Sequence, residues 1–187
     1  MSRENVEIVR QPIRISEWSR RRLEERIAVR FPNLAVAGTR ALLRLPARSR
    51  VRRRLLSRTV RLANEAGNRG DYEVSFLLFH PDLEMVAPAG TVVLGAFPER
   101  IQGRRERIQF ERSWRGDWGE FRYEPDELID LTDQLLLIGR MSGSGRRSGA
   151  AMDSEWAGLY SISRGQVIRE QIFVNNHDAL KAVGLDE

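Results

Sequence analysis

NEAGNRGDYEVSFLLFHPDLEMVAP, residues 64–88, contains the strongest local signals in the chain. It predicts the end of one helix, a tight turn, a short second helix and the start of a strand. Gly70 can take the left-handed conformation that closes a helix, and the carboxylate of Asp71 can cap the next one. Pro81 cannot continue a helical hydrogen-bond ladder. The second helix should therefore end near Pro81, and a strand should follow over 83–87.

The segments before this stretch have helical patterns. A long helix is predicted to begin after Ser49, because apolar residues recur every third or fourth position over 51–66 while arginines fill much of the remainder. A hairpin of two shorter helices is predicted over 16–31 and 33–45, and a short helix over 2–10.

Beyond residue 88 the pattern changes to strands, with one helix opened by Gly103. Arg164 and Gly165 are typical of the tight turn of a β-hairpin. The predicted strands are 91–97, 120–131, 134–142, 150–162 and 166–174. Helices followed by antiparallel strands favour an α+β fold.

Several segments together resemble the SnoaL-like proteins of the nuclear transport factor 2-like superfamily, which includes polyketide cyclases, ketosteroid isomerases and limonene epoxide hydrolases. Besides the 64–88 stretch, they are MSRENVEIVR at 1–10, RIQGRRERIQFERSW at 100–114, the hairpin over 142–170 and DALKAVGL at 178–185. No single segment is specific, but their order and spacing are characteristic of the family.

The resemblance implies a cone, in which a curved mixed or antiparallel sheet wraps around N-terminal helices and leaves a pocket at its open end. Residues 1–187 would form one domain with a cone core over 60–187. The main departure is the Arg-rich helical segment 11–59, which inserts about 50 residues where the family needs only a few. We expect it to add a helical hairpin outside the cone. The resemblance also implies a homodimer formed through the sheet.

Known catalysts of the family differ, and none of their residue sets can be placed on this sequence. The cyclases use a His and an Asp, the epoxide hydrolases an Asp–Arg–Asp arrangement, and the ketosteroid isomerases an Asp with a Tyr. Where a cyclase would carry an acid, near the end of the last strand, this chain has Asn175 and Asn176. Because an amide cannot act as a base, this difference weighs against a cyclase.

Composition excludes several kinds of chemistry. The 187 residues include no Cys, so disulfides and thiolate catalysis are excluded, and the two His residues lack metal-ligand spacing. We therefore predict neither a metal nor a cofactor. No signal sequence and no apolar run of about 20 residues is present, so a cytoplasmic protein is expected.

The charge is unevenly distributed. Residues 11–60 hold 14 Arg and 3 Glu, a net charge of +11, whereas residues 61–187 hold 15 basic and 21 acidic residues, a net charge of −6. This Arg-rich segment can dock on the acidic body or a partner subunit, and that hypothesis is preferred. Nucleic acid or an anionic membrane are the alternatives.

Three carboxylates are candidates for general acid–base chemistry: Glu84, Asp153 and Glu155. Desolvation in a pocket would raise the pKa of a carboxylic acid toward neutrality. Asp153 and Glu155 share one face of a strand because strand side chains alternate. The alternative is that both lie on a solvated face and pair with arginine.

Aromatic and polar side chains that could line the pocket are Tyr72, Phe76, His80, Trp114, Trp118, Trp156 and Tyr160. Core packing, or a surface position for His80, is the alternative for each. Two functions follow. The first is the binding of a small apolar or mixed organic molecule, with hydrolase, isomerase or cyclase chemistry. The second is a non-catalytic scaffold whose Arg-rich helices contact a partner. The sequence does not decide whether the protein is an enzyme.

Overall fold

The computed structural model describes residues 8–14, 20–87 and 98–185. The helices in this part of the chain are α1 (Leu23–Arg30), α2 (Pro32–Leu42), α3 (Arg50–Asn68), α4 (Tyr72–Ser75), α5 (Arg104–Gly116) and α6 (Asn176–Ala182). The strands are β1 (Val9–Pro12), β2 (Phe79–Val86), β3 (Arg100–Gln102), β4 (Trp118–Asp130), β5 (Gln134–Gly145), β6 (Ala151–Ser163) and β7 (Gln166–Phe173).

The seven strands form one mixed sheet that is not closed, in the order β1-β4-β5-β6-β7-β2-β3. Only the β2–β7 pair is parallel, and the other neighbours are antiparallel. Arg164 and Gly165 connect β6 to β7 with positive φ angles of 53° and 86°. This geometry is that of the predicted hairpin turn. The predicted α+β class and the curved sheet with added helices are confirmed.

The two faces of the sheet have different partners. The inner face packs against α3 and α5, and its buried core includes Leu56, Leu128, Leu137 and Trp156. The outer face has a smaller apolar cluster that is covered by α6 through Ala179. Burial on both faces explains why the middle of β5 is a continuous apolar run rather than an alternating one.

The 64–88 stretch folds largely as predicted, with two corrections. Asp71 makes no side-chain capping bond to α4. Its carboxylate instead accepts hydrogen bonds from Arg21, with Nε–Oδ2 at 2.6 Å. The following strand begins at Phe79, so Pro81 lies within β2 rather than before it. A proline is tolerated there because Pro81 lies where the pairing with β7 is irregular.

The N-terminal segment differs from its predicted helix. Residues 9–12 form β1 at the edge of the sheet and pair with β4. Period-two alternation in VRQP, with half-buried Val9 and Gln11, fits a strand better than a helix. The rest of the predicted 2–10 helix lies outside the described residues, as do the start of the 16–31 helix and the strand predicted over 91–97.

The Arg-rich helices dock on the rest of the molecule by ion pairs. Arg52 and Asp130 are both buried, with Nη2–Oδ1 at 2.6 Å, and Arg52 also donates to the carbonyls of Leu43, Leu45 and Thr132. Arg22, directly before α1, donates to the buried Glu65 of α3 at 2.8 Å. The predicted contact of arginines with acidic groups is therefore present, although the extent of the insertion over 11–59 stays a prediction.

Candidate binding site on the inner face of the sheet

A cluster of four charged residues, three of them buried and Arg115 half-buried, lies between α5 and the inner face of the sheet. Arg107, Glu111 and Arg115 are spaced four residues apart on α5, so they share one face of that helix. Glu170 projects from β7, two residues before the buried Ile172. We call these four residues the inner charge cluster.

The inner charge cluster is fully connected. Arg107 binds Glu170 through Nε at 2.6 Å and Nη2 at 3.2 Å, and it binds Glu111 through Nη1 at 2.9 Å. Arg115 Nε donates to the other oxygen of Glu111 at 2.7 Å. Asn68 links the cluster to β4, because its amide exchanges two hydrogen bonds with the backbone of Tyr123. Two guanidinium and two carboxylate groups leave the cluster with no net charge.

The arginines determine the protonation of the cluster. Burial by itself would raise the pKa of Glu111, but Arg107 and Arg115 outweigh it and hold that pKa below its ordinary value of 4.5. Burial would lower the pKa of Arg107, but Glu170 and Glu111 raise it well above its ordinary range. Glu111 is therefore a carboxylate, and Arg107 a cation, at neutral pH.

Two tyrosines bring neutral hydroxyl groups to the same place. Tyr160 is the cross-strand neighbour of Glu170, and Tyr123 lies on β4 beside the cluster. Burial, with Glu170 and Glu111 nearby, raises the pKa of both phenols above the ordinary value of 10. Both phenols are therefore neutral at physiological pH.

Aromatic rings lie next to both tyrosines, in one series that includes Tyr123 and another that includes Tyr160. Ring centroids are 4.9 Å apart for Phe121 and Tyr123, and 5.0 Å apart for Tyr123 and Trp156. Trp114 and Trp118 extend the series at a centroid distance of 5.5 Å. On the other side, Phe79 meets the edge of Tyr160, and Phe76 and Tyr72 continue from it.

The predicted carboxylates are not part of this arrangement. Asp153 and Glu155 do share a strand face, but it is the outer one. Asp153 is exposed and pairs with Arg140 at 2.7 Å, and Glu155 accepts the backbone N–H of Asn176 at the start of α6. Glu84 is half-buried on β2 and pairs with Arg100 at 2.8 Å. A catalytic role for any of them stays a prediction, because their partners lie outside the inner charge cluster.

Most of the predicted pocket residues lie on the inner face of the sheet or close to it. Trp156 and Tyr160 lie on the inner face, and Trp114 and Trp118 pack on the same core. Tyr72 is the first residue of α4 and Phe76 follows its last. The guanidinium groups of Arg112 and Arg107 lie over the rings of Tyr72 and Phe76, respectively. His80 lies in the exposed part of β2, where its Nδ1 accepts the N–H of Asp82.

Sequence reasoning missed the inner charge cluster and Tyr123. The spacing of Arg107, Glu111 and Arg115 is a clear helical signal, but the same pattern is typical of a solvated helix face. The apolar residues of α5 that mark its buried side are few. The charged face of α5 can be recognised as buried only from the tertiary structure, in which the sheet places Glu170 opposite it.

Neither a metal site nor a membrane-crossing helix is present among the residues that the structure describes. No three His, Asp or Glu side chains there come together as a metal site would require. No helix in the described ranges is long and apolar enough to cross a bilayer.

Comparison with known proteins identifies the fold. No family model matches the chain, and no curated protein does. Solved structures do match, and they define the class: the chain has the nuclear transport factor 2-like fold, as the resemblance implied.

Three of these structures illustrate the match. An NTF2-like protein of unknown function from Burkholderia pseudomallei K96243 is 20% identical, with a TM-score of 0.56, over 68% of this chain and 95% of that one. A protein provisionally named SnoaL-like polyketide cyclase, from Jannaschia sp. CCS1, is 16% identical with a TM-score of 0.54, over 70% and 92%. TerC, co-crystallised with polyporic acid, is 18% identical with a TM-score of 0.55, over 66% and 96%. At these identities the likeness establishes the fold alone.

Proposed function

We propose that this protein binds a small, largely apolar organic molecule on the inner face of its sheet, with an oxygen atom of that molecule accepting hydrogen bonds from Tyr160 and Tyr123. The observation that carries the proposal is the pair of neutral phenols that lie beside the inner charge cluster and against aromatic rings. A few hydroxyl donors within mainly aromatic surroundings are what fixes the orientation of a bound organic molecule.

The surroundings determine which molecule fits. Small-molecule sites are mainly apolar and aromatic, with a few polar groups that fix orientation. Tyr123, Trp156 and Tyr160 supply flat apolar surface as well as two hydroxyls. Because the inner charge cluster is neutral overall, it favours an uncharged ligand with a carbonyl, ether or hydroxyl oxygen over a strongly charged one. TerC, which shares the fold, was co-crystallised with polyporic acid.

The arrangement of charged groups in the inner charge cluster supports a catalytic reaction on such a ligand. Glu170, Arg107 and Glu111 form an acid–arginine–acid sequence, the type of arrangement that the resemblance associates with epoxide hydrolases. Neutral phenols whose pKa is raised can donate hydrogen bonds to an oxygen that gains negative charge. We therefore place hydrolase or isomerase chemistry ahead of a cyclase reaction.

A specific observation favours the non-catalytic alternative. Every guanidinium nitrogen of Arg107 is already bonded to Glu170 or Glu111, so the cluster needs no ligand to satisfy it. A cluster of that kind can serve as a structural link between α5 and β7. In that case the inner face would be a scaffold and the Arg-rich helices would carry the function.

Native mass spectrometry of the freshly purified protein, followed by denaturing extraction, tests the proposal. We expect an organic molecule bound at one per chain, and we expect its occupancy to fall in Tyr160→Phe, which retains the ring but removes the hydroxyl. Asp153→Asn on the outer face is the matched control and should keep full occupancy. An empty wild-type protein that also binds none of a panel of aromatic ketones and phenols would contradict the proposal. The same spectrum measures the proposed homodimer.

A further inference from the structure

The exposed apolar side chains of the molecule are concentrated on the Arg-rich helices. Among the described residues, nine large hydrophobic side chains are exposed, and seven of them lie between residues 23 and 55. The same part of the chain carries the positive charge, since residues 11–60 have a net charge of +11. Apolar and cationic exposure therefore coincide on one part of the surface.

On α1 these side chains share one helix face. Leu23, Arg26, Ile27 and Arg30 follow one another at intervals of three, one and three residues, which places all four on the same side. Leu23 is 71% exposed and Ile27 is 47% exposed. Neither Arg26 nor Arg30 has a carboxylate partner within the described ranges, although Arg30 lies over the ring of Phe31.

The first turns of α3 repeat the pattern. Arg50, Val51, Arg54 and Leu55 are all exposed and lie on one side of that helix. Val51 is 56% exposed, and neither Arg50 nor Arg54 pairs with a carboxylate among the described residues.

An ion pair joins the two faces. Arg58, one turn beyond Arg54, donates through Nε to Glu24 of α1 at 2.9 Å. Glu24 lies directly after Leu23, so the exposed faces of α1 and α3 are neighbours. We call Leu23, Arg26, Ile27, Arg30, Arg50, Val51, Arg54 and Leu55 together the Arg–apolar surface.

We propose that the Arg–apolar surface binds an anionic phospholipid bilayer. Arginines on such a surface pair with lipid phosphates, while leucine, isoleucine and valine side chains enter the boundary between headgroups and acyl chains. Neither the arginines nor the apolar side chains would hold the protein on a bilayer alone, because a single type of contact gives only weak attachment. The two together fit a surface that is both charged and apolar.

Nucleic acid fits this composition less well. Phosphates of a duplex would engage the arginines but would leave the aliphatic side chains in water. Binding of single strands relies on stacking, and Phe31 is the only aromatic residue in the described residues 20–60. The rest of the chain, with a net charge of −6 over residues 61–187, is repelled by an anionic bilayer. That repulsion orients the Arg-rich helices toward the lipid.

Vesicle co-sedimentation of the full chain tests the proposal. Vesicles of phosphatidylcholine alone are compared with vesicles that also contain phosphatidylglycerol. We expect binding to the mixed vesicles only, weakening as salt is raised. Arg26→Gln/Arg54→Gln and Ile27→Ser/Leu55→Ser should each weaken it by about tenfold or more, because they remove the electrostatic and apolar contributions separately. All four positions are exposed, so we expect both variants to fold, and thermal unfolding verifies that they do.

Arg140→Gln/Arg147→Gln is the matched control. Like the Arg26/Arg54 variant, it removes two positive charges, but from exposed positions on β5 and the β5–β6 turn. It should bind the mixed vesicles as the wild type does. No binding to the mixed vesicles, equal binding to neutral vesicles, or an equal loss in the control would overturn the proposal. So would a serine variant that binds vesicles normally but no longer self-associates, because the surface would then be an interface between copies of this chain.

Discussion

Tyr160 and Tyr123 have phenol groups that are neutral inside the fold. Burial raises the pKa of both phenols, and burial also raises that of Tyr72, the third tyrosine of the chain. A group whose pKa is raised by folding contributes stability that is complete below its unfolded pKa, near 10, and is lost as the pH rises above it. The protein should therefore lose stability in alkali as the unfolded chain ionises.

Spectroscopic titration measures this effect directly. We expect less tyrosinate absorbance in the folded protein at pH 10 than in the unfolded chain at the same pH, followed by a joint rise when alkali unfolds the chain. Circular dichroism at each pH separates ionisation from unfolding. Ionisation of two tyrosines near pH 10 with the fold intact would show that their hydroxyls are in ordinary contact with solvent.

Two glycines differ in the space around them. A methyl group at Gly139 would overlap the carbonyl oxygen of Glu124, where β4 bulges over β5. At Gly38, in exposed α2, it would meet nothing within 4 Å. We predict that Gly139→Ala lowers the free energy of unfolding by about 1–3 kcal/mol and that Gly38→Ala raises it by about 0.4–1 kcal/mol. Urea unfolding of both variants measures the difference, and equal effects would contradict the bulge geometry.

At the level of elements, Arg52 joins the Arg-rich helices to the sheet. Its guanidinium group binds Asp130 at the end of β4 and three backbone carbonyls, two of them in the connection between α2 and α3. Removing one partner of a buried ion pair leaves the other charge uncompensated, at a cost of about 3–5 kcal/mol. Arg52→Met should destabilise the protein by that amount.

A double variant distinguishes the ion pair from lost packing. Arg52→Met/Asp130→Leu removes both charges and should recover part of the stability, since no lone charge remains. Arg54→Met, at an exposed position two residues away, is the control and should change the unfolding free energy by less than about 0.5 kcal/mol. If the double variant is no more stable than the sum of both single changes, the pair is not coupled as we describe.

Glu111 on α5 makes the stability of the fold depend on pH in the acid range. Because Arg107 and Arg115 hold its pKa below 4.5, its stabilising contribution is present above that ordinary value and is lost as the pH falls through the lower folded pKa. Asp71 behaves in the same way through Arg21. We expect stability to fall with decreasing pH below about 4.5 and to fall less steeply in Glu111→Gln, which is less stable at neutral pH. Unfolding by urea at pH 7, 5 and 3 measures both slopes, and identical slopes would contradict the assignment.

Across the whole molecule, most helices and strands can be predicted from local sequence patterns, whereas the candidate binding site cannot. The long helix after Ser49, the Gly103 boundary and the Arg164–Gly165 turn depend on residues next to them in sequence. The β1 edge strand depends on pairing with β4, more than 100 residues away, which no local pattern contains. The inner charge cluster likewise requires α5 to be placed against β7.

Candidate carboxylates were chosen from strand alternation, which groups residues by face but does not say which face is enclosed. Asp153 and Glu155 were grouped correctly, and α6 and solvent cover their side of the sheet. Trp156 and Tyr160 mark the enclosed side because they pack on α3 and α5. The sequence resemblance predicted the cone, and only the packed structure distinguishes its inside from its outside.

A crystal structure of the protein as purified tests the central claim, that the inner face of the sheet is a binding site. We predict electron density for a ligand or ordered solvent within hydrogen-bonding distance of the hydroxyls of Tyr123 and Tyr160, enclosed by the rings of Trp156 and Phe79. The contradicting result is an interior filled by the chain's own side chains, with both hydroxyls bonded to protein groups. That result would favour the scaffold alternative and leave the Arg-rich helices as the functional surface.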